Sequence, residues 1–156
     1  MLLRIIAAGR LKSGPERELI ERYAERIRGG GPAIGLGPLQ ETEIDIRSIN
    51  GKTAESEALA AQVPQGCALC LMDERGKALS SRELADILGR WRDDGIREAC
   101  FVIGGADGLD RSAFGSPQLT LSFGKAVWPH MLVRAMLAEQ LYRAVSILSG
   151  APYHRD

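Results

Sequence analysis

Apolar positions along this chain switch repeatedly between the unbroken or alternating runs of strands and the 3.6-residue spacing of helices, and the order of the switches outlines a fold. Leu2 to Ala8 is apolar apart from Arg4 and ends at Gly9, which predicts a strand and its turn. Pro15 opens a helix to about Arg28, with Leu19, Tyr23 and Ile27 at four-residue spacing as the inward stripe. Gly29 to Pro38 is glycine-rich and reads as a mobile loop, long for a compact domain. Leu39 to Ile46 alternates near its end, a strand. Thr53 is the expected cap of a helix to about Val63, with Glu55 and Glu57 in its first turn. Ala68 to Asp73 is the central buried strand. Ser80 and Glu83 form the S-x-x-E capping box of a helix to about Asp93, with Leu84, Ile87, Leu88 and Trp91 as its apolar face. Glu98 to Ile103 is a fourth strand, followed at once by Gly104 and Gly105. A short helical turn near Asp110 to Phe114 leads to a fifth strand, Gln118 to Ser122. The last helix runs from about Met131 to Leu148, with Val133, Leu137, Leu141, Ala144 and Leu148 along one stripe. Strand-helix alternation of this kind predicts an α/β fold, a mostly parallel sheet with helices on both faces. With 156 residues, the chain fits one domain, 1–156.

Composition narrows the function. Twenty Lys and Arg balance twenty Asp and Glu. Bulk attraction to a polyanion is therefore weak, and any nucleic-acid contact relies on a local patch. No stretch has the length of a membrane span, and Met1 to Ala8 is too short for a signal peptide, so a soluble, cytoplasmic protein is expected. Cys67 and Cys70 spell C-x-x-C, but inside an apolar run that reads as strand. Residues three apart on a strand face opposite sides, so core packing is expected there, and no metal.

In parallel sheets, ligands bind beyond the carboxyl ends of the strands. Three such ends carry unusual residues: Leu71 to Lys77, Gly104-Gly105, and Gly124 to His130. Glycines there let the backbone approach a ligand closely, although each alone is as readily a plain turn. Neither a G-x-G-x-x-G nor a P-loop is present. Both histidines, His130 and His154, flank the last helix. His130 reads equally as a capping or packing residue at the helix head. His154 lies in a short polar tail with little to pack against, which favours a working role. From Ser122 to Asp156, four cations (Lys125, Arg134, Arg143 and Arg155) face two carboxylates, so this end has a mild basic bias.

Several phrases together carry a specific resemblance: Leu71-Met-Asp-Glu-Arg-Gly-Lys-Ala-Leu-Ser-Ser81, Phe101-Val-Ile-Gly-Gly-Ala-Asp-Gly108, Trp128-Pro-His-Met-Leu-Val-Arg134, Glu139-Gln-Leu-Tyr-Arg-Ala144 and Tyr153-His-Arg155. Over nearly its whole length the chain resembles the RlmH family, SPOUT-class methyltransferases of bacterial large-subunit (23S) ribosomal RNA. The resemblance implies a C-terminal trefoil knot, a homodimer, and S-adenosylmethionine as methyl donor to N3 of a pseudouridine, in the ribosome. Carried over by position, it implies a donor pocket of Leu71, Met72, Gly105, Gly124, Lys125, Ala126, Val127, Trp128 and Pro129. The chain departs from the usual family pattern with Gly124 where serine is common and Ala126-Val127 where Met-Thr is.

Removal of the N3 proton needs a base, for which His154 is the first candidate and His130 the next. Arg155 and Arg134 are the candidates for stabilising the developing anion. Two rivals make different predictions. A non-catalytic RNA-binding module would not bind the donor. A flavodoxin-like nucleotide-binding enzyme would hold phosphates at the glycine turns and leaves Tyr153-His154-Arg155 without a purpose.

Overall fold

Strands without polar alternation need cover on both faces, and the computed structural model supplies it. The model describes residues 1–155; Asp156, the last residue of the expected domain, lies outside the described residues. The strands are β1 (Leu2–Ala8), β2 (Leu39–Ile44), β3 (Ala68–Ala78), β4 (Glu98–Ile103) and β5 (Leu119–Ser122). The helices are α1 (Pro15–Gly30), α2 (Lys52–Ala60), α3 (Ser81–Asp93) and α4 (His130–Ser149). Among the described residues the strands form one sheet in the order β2-β1-β4-β3-β5, every pair parallel.

Along β1, Leu3, Ile5 and Ala7 face the larger core layer, whereas Ile6 and Ala8 face the smaller one. The larger layer takes in Ile20 and Ile27 of α1, Leu84 and Leu88 of α3, and Leu137, Leu141 and Ala144 of α4. The smaller layer is closed by Leu59 of α2 with Leu109 and Phe114. Helix α4 lies against both α1 and α3. The capping box is present: the Glu83 amide donates to Ser80 Oγ (3.2 Å) and the Ser80 amide to Glu83 Oε2 (2.7 Å). A cap of this kind is worth about 1 kcal/mol.

Four local expectations are corrected. The glycine-rich segment is built, not loose: α1 continues to Gly30, a 3-10 turn spans Pro32–Ile34, and Leu36 is wholly buried. Gly31 is required there, since a Cβ would meet the Leu36 carbonyl oxygen at 2.2 Å. Strand β2 stops at Ile44, short of Ile46. Thr53 does not cap α2; the helix starts at Lys52 behind Gly51, and Thr53 Oγ1 instead donates to Asp110 Oδ2 at 2.7 Å. Strand β3 runs past Asp73 to Ala78 through a register break, in which Met72 and Lys77 both pair with Leu121. Gly76 makes this possible, because a Cβ there would sit 2.7 Å from the Thr120 carbonyl oxygen.

The C-x-x-C pair is split across the sheet, with Cys70 in the larger layer and Cys67 beside Cys100 on the other. Burial pushes all three thiols up, away from the reactive thiolate form. The placement of β5 beside β3, after β4 has been inserted on β3's other edge, is consistent with the C-terminal trefoil knot.

Candidate active site

The carboxyl ends of β3, β4 and β5 meet the start of α4 around a cleft of about 280 Å³. Met72, Ile103, Leu121 and Val133 give it apolar walls, and Lys52, Asp73, Arg75 and Asp107 a charged rim. Its narrowest wall is the turn after β4. There the Gly108 amide donates to the Gly105 carbonyl (3.0 Å), and Gly108 has a φ of 73°. A Cβ on Gly104 would lie 2.7 Å from the Gly108 carbonyl carbon and oxygen, so the turn closes only around glycine. Gly105 presents its backbone to the cleft, but a Cβ there would point toward Glu55 Oε2 at 2.8 Å. What crowds a side chain at 105 is α2 of the same chain.

Ser122 anchors the opposite wall. It accepts from the Gly124 amide (3.1 Å), and its hydroxyl lies 3.1 Å from the Glu74 carbonyl oxygen, which ties the loop after β5 to the β3 bulge. Trp128 Nε1 donates to the Phe123 carbonyl at 3.3 Å and closes the loop on itself. Val127, 85% exposed, and Trp128, 42% exposed, stand at the mouth.

Of the residues expected around a methyl donor, Met72, Gly105, Gly124, Ala126, Val127 and Trp128 line the cleft. Leu71 is fully buried one residue behind the wall, and Lys125 and Pro129 belong to the same loop but are not among the lining residues. Lys52 lines the cleft and was missed; it is the first residue of α2, and nothing in its local sequence marks it. His130 also lines the cleft, half-buried as the first residue of α4. Burial lowers its pKa and the Arg134 charge lowers it further, against a smaller opposing pull from Glu55. A neutral imidazole with a free lone pair is thereby favoured at neutral pH.

Arg134 is not a cleft residue. Its side chain is 0% exposed, and its guanidinium donates to Glu43 Oε1 (2.6 Å) and to the Ala8 and Gly9 carbonyls (3.1 and 3.0 Å). Arg17 of α1 binds the same Glu43 oxygen (2.9 Å) and pairs with Glu41. Arg134 is therefore held in ion pairs behind the ends of β1 and β2 and is not part of the cleft lining, although an anion-stabilising role was expected of it.

The tail is also better packed than its composition implies. Tyr153 donates to Glu139 Oε1 (3.1 Å) and its ring lies 4.6 Å from that of Tyr142. The Arg143 guanidinium sits 4.8 Å from the Tyr153 ring centre and 3.3 Å from His154 Nδ1. Thirteen residues of helix separate Arg143 from His130, roughly 20 Å at the α-helical rise. As docked here, His154 and the exposed Arg155 stand at the far end of α4 from their own cleft.

A family model described as "Predicted SPOUT methyltransferase" matches residues 1–154. Ribosomal RNA large subunit methyltransferase H of Maricaulis maris (strain MCS10) is 62% identical over 156 residues, 100% of each chain. The protein of the same name from Dinoroseobacter shibae (strain DSM 16493 / NCIMB 14021 / DFL 12) is 50% identical over 155 residues, 99% of each. A solved structure described as a probable methylase family protein from Haemophilus influenzae Rd KW20 has a likeness of fold alone: TM-score 0.53 at 15% identity, over 99% of this chain and 70% of that one. With a family match and relatives of this identity running nearly end to end, the chain belongs to the RlmH family of SPOUT methyltransferases.

Proposed function

We propose that this enzyme transfers a methyl group from S-adenosylmethionine to N3 of a pseudouridine in bacterial 23S ribosomal RNA, with the assembled ribosome as substrate. One observation carries the reading. Three strand ends, two of them glycine-bearing, converge on one cleft in a chain whose relatives are named for large-subunit ribosomal RNA methylation.

The residues present fit such a donor. Its adenine is flat and the carbon chain beside its sulfur is apolar, and the cleft offers Met72, Ile103, Leu121 and Val133. Its ribose and amino-acid ends are polar, and Lys52, Asp73 and Asp107 offer charge of both signs. The backbone around Gly104 and Gly105 supplies amides and carbonyls at close range. When bound, S-adenosylmethionine supplies an electrophilic sulfonium methyl. The protein's task is then to hold the pseudouridine in line and to take its N3 proton.

Within one chain the histidine at the cleft is His130. His154 and Arg155 serve the site if a second copy brings its tail to this cleft, His154 taking the N3 proton and Arg155 steadying the anion. A homodimer answers that need. Leu132 and Met136 of α4 line a second cavity of about 650 Å³ against α1 and the loop after β5, an apolar face suited to a second copy. A ribosomal substrate implies the cytoplasm, and among the described residues no helix is long and apolar enough to cross a membrane.

The test is transfer of radiolabelled methyl from S-adenosylmethionine to ribosomes from a strain lacking the enzyme. Label at one pseudouridine, absent when the protein is left out, is the expected result. Binding to ribosomes without transfer would leave the non-catalytic module as the reading.

A further inference from the structure

A wholly buried arginine lies outside the cleft lining, yet one turn from the histidine that lines the cleft. Arg134 follows His130 by four residues, so both project from one face of the first turns of α4. That face rests on the end of β1. Gly9 turns there with φ 83°, and a Cβ on it would come within 3.2 Å of Met131 Cε and 3.8 Å of His130 Nε2. The Arg134 guanidinium bridges the Ala8 and Gly9 carbonyls with one nitrogen and binds Glu43 with the other. The Glu43 oxygen is in turn held by the Leu11 amide (2.9 Å) and by Arg17.

One planar cation thus joins the head of α4 to the carboxyl ends of β1 and β2, a geometry that a lysine ammonium cannot span in the same way. We propose that Arg134 is a positioning residue, with Glu43 as its charge partner, that fixes the first turn of α4 on β1 and so sets the His130 ring at the cleft. This deepens the proposed function and rests on its reading of the cleft as the methyl-donor site.

The charges around His130 are Arg134 on its own helix and Glu55 on α2, and the cleft it lines also holds Lys52 of α2, Asp73 and Arg75 of the β3 bulge, and Asp107 of the turn after β4. Of these, Arg134 and Glu55 bear on its titration, in opposite directions. Position and charge therefore separate by substitution. Arg134→Lys keeps the cation and loses the two-sided grip. Arg134→Gln combined with Glu43→Gln removes both charges together, and Glu41 and Arg17, which lose Arg134 and Glu43, keep each other, so that no carboxylate or guanidinium is left buried without a partner.

The full-length variants and wild type are compared by thermal midpoint, by calorimetric affinity for S-adenosylhomocysteine, by kcat and KM on ribosomes, and by NMR titration of the His130 imidazole in a His154→Ala background. Arg134→Lys is expected to leave the His130 titration in place while kcat falls by about tenfold or more, since small displacements of a positioned group cost up to roughly a hundredfold. The double variant is expected to raise the His130 titration toward its ordinary value, with a comparable fall in kcat.

A lowered thermal midpoint with wild-type kcat per folded molecule in both variants would overturn the proposal and leave Arg134 a purely structural residue. If wild type itself neither binds S-adenosylhomocysteine nor methylates ribosomes, the donor-site reading fails. The position of the His130 ring in crystal structures of wild type and Arg134→Lys, which needs no activity, then decides the positioning role alone.

Discussion

Substituting alanine for Gly104 tests the architecture of the cleft more directly than any change to a charged residue. The added Cβ would lie 2.7 Å from two backbone atoms of Gly108 and 3.0 Å from Leu109 Cδ2. None of these is the end of a flexible side chain that can swing clear, apart from the buried leucine methyl, so the turn itself must shift. Overpacking of this kind costs about 1–3 kcal/mol. For a chain of this length each kcal/mol moves the thermal midpoint by about 2–4 °C, which predicts a fall of roughly 2–12 °C. The same displacement opens the wall formed by residues 104–108, and each 1.4 kcal/mol of lost contact weakens donor affinity about tenfold. Gly105→Ala is the paired control. Its Cβ meets the terminal oxygen of Glu55, which can rotate away, so its midpoint should stay near wild type. Differential scanning calorimetry and titration with S-adenosylhomocysteine measure both quantities. Gly104→Ala with the midpoint and affinity of wild type would refute the claim that this turn closes only around glycine.

Four further outcomes are expected. His154→Ala should retain donor affinity and cut methyl transfer to ribosomes by about a hundredfold, the scale for losing a general base; a wild-type rate would move proton removal to His130. Arg155→Ala should weaken RNA binding and reduce its salt dependence by about one phosphate contact, and an unchanged salt slope would remove Arg155 from the RNA interface. His130, whose folded pKa lies below its ordinary 6.5, binds a proton more weakly folded than unfolded. Stability should therefore be highest above that value and fall as pH drops through 6.5 toward the folded pKa; if His130→Asn shows the same pH slope of thermal midpoint, another group is responsible. Light scattering should find a dimer at micromolar concentration, and a monomer would contradict the use of a second chain's tail.

Elements whose period is set by core contact were legible in the sequence. Leu84 and Leu88 on α3, or Leu137 and Leu141 on α4, reveal their helix because both ends of the contact are apolar. The convergence of three strand ends was legible too, since parallel alternation places them on one edge. What stayed hidden depends on long-range pairing of polar groups. Arg134 sits in a helix whose polar positions read as solvent-facing, and nothing nearby announces Glu41 and Glu43 more than ninety residues upstream. Those carboxylates, two apart on β2, share a face, which was the available signal. The β3 bulge was hidden because Asp73 to Lys77 is polar and reads as loop, though it still pairs at both ends. The packed tail was hidden because its Tyr153 finds Tyr142 and Glu139 across a chain reversal that local composition does not encode.

The order in which the chain emerges during synthesis gives the position of α4 a further meaning. Strands β1 to β5 are complete by Ser122, yet the closing wall of the cleft and much of the larger core layer come from His130 onward. Until α4 has left the ribosome, a nascent chain can pair strands but cannot assemble the site. Competence therefore waits on α4, and truncation or proteolytic loss within that helix is expected to abolish function rather than weaken it.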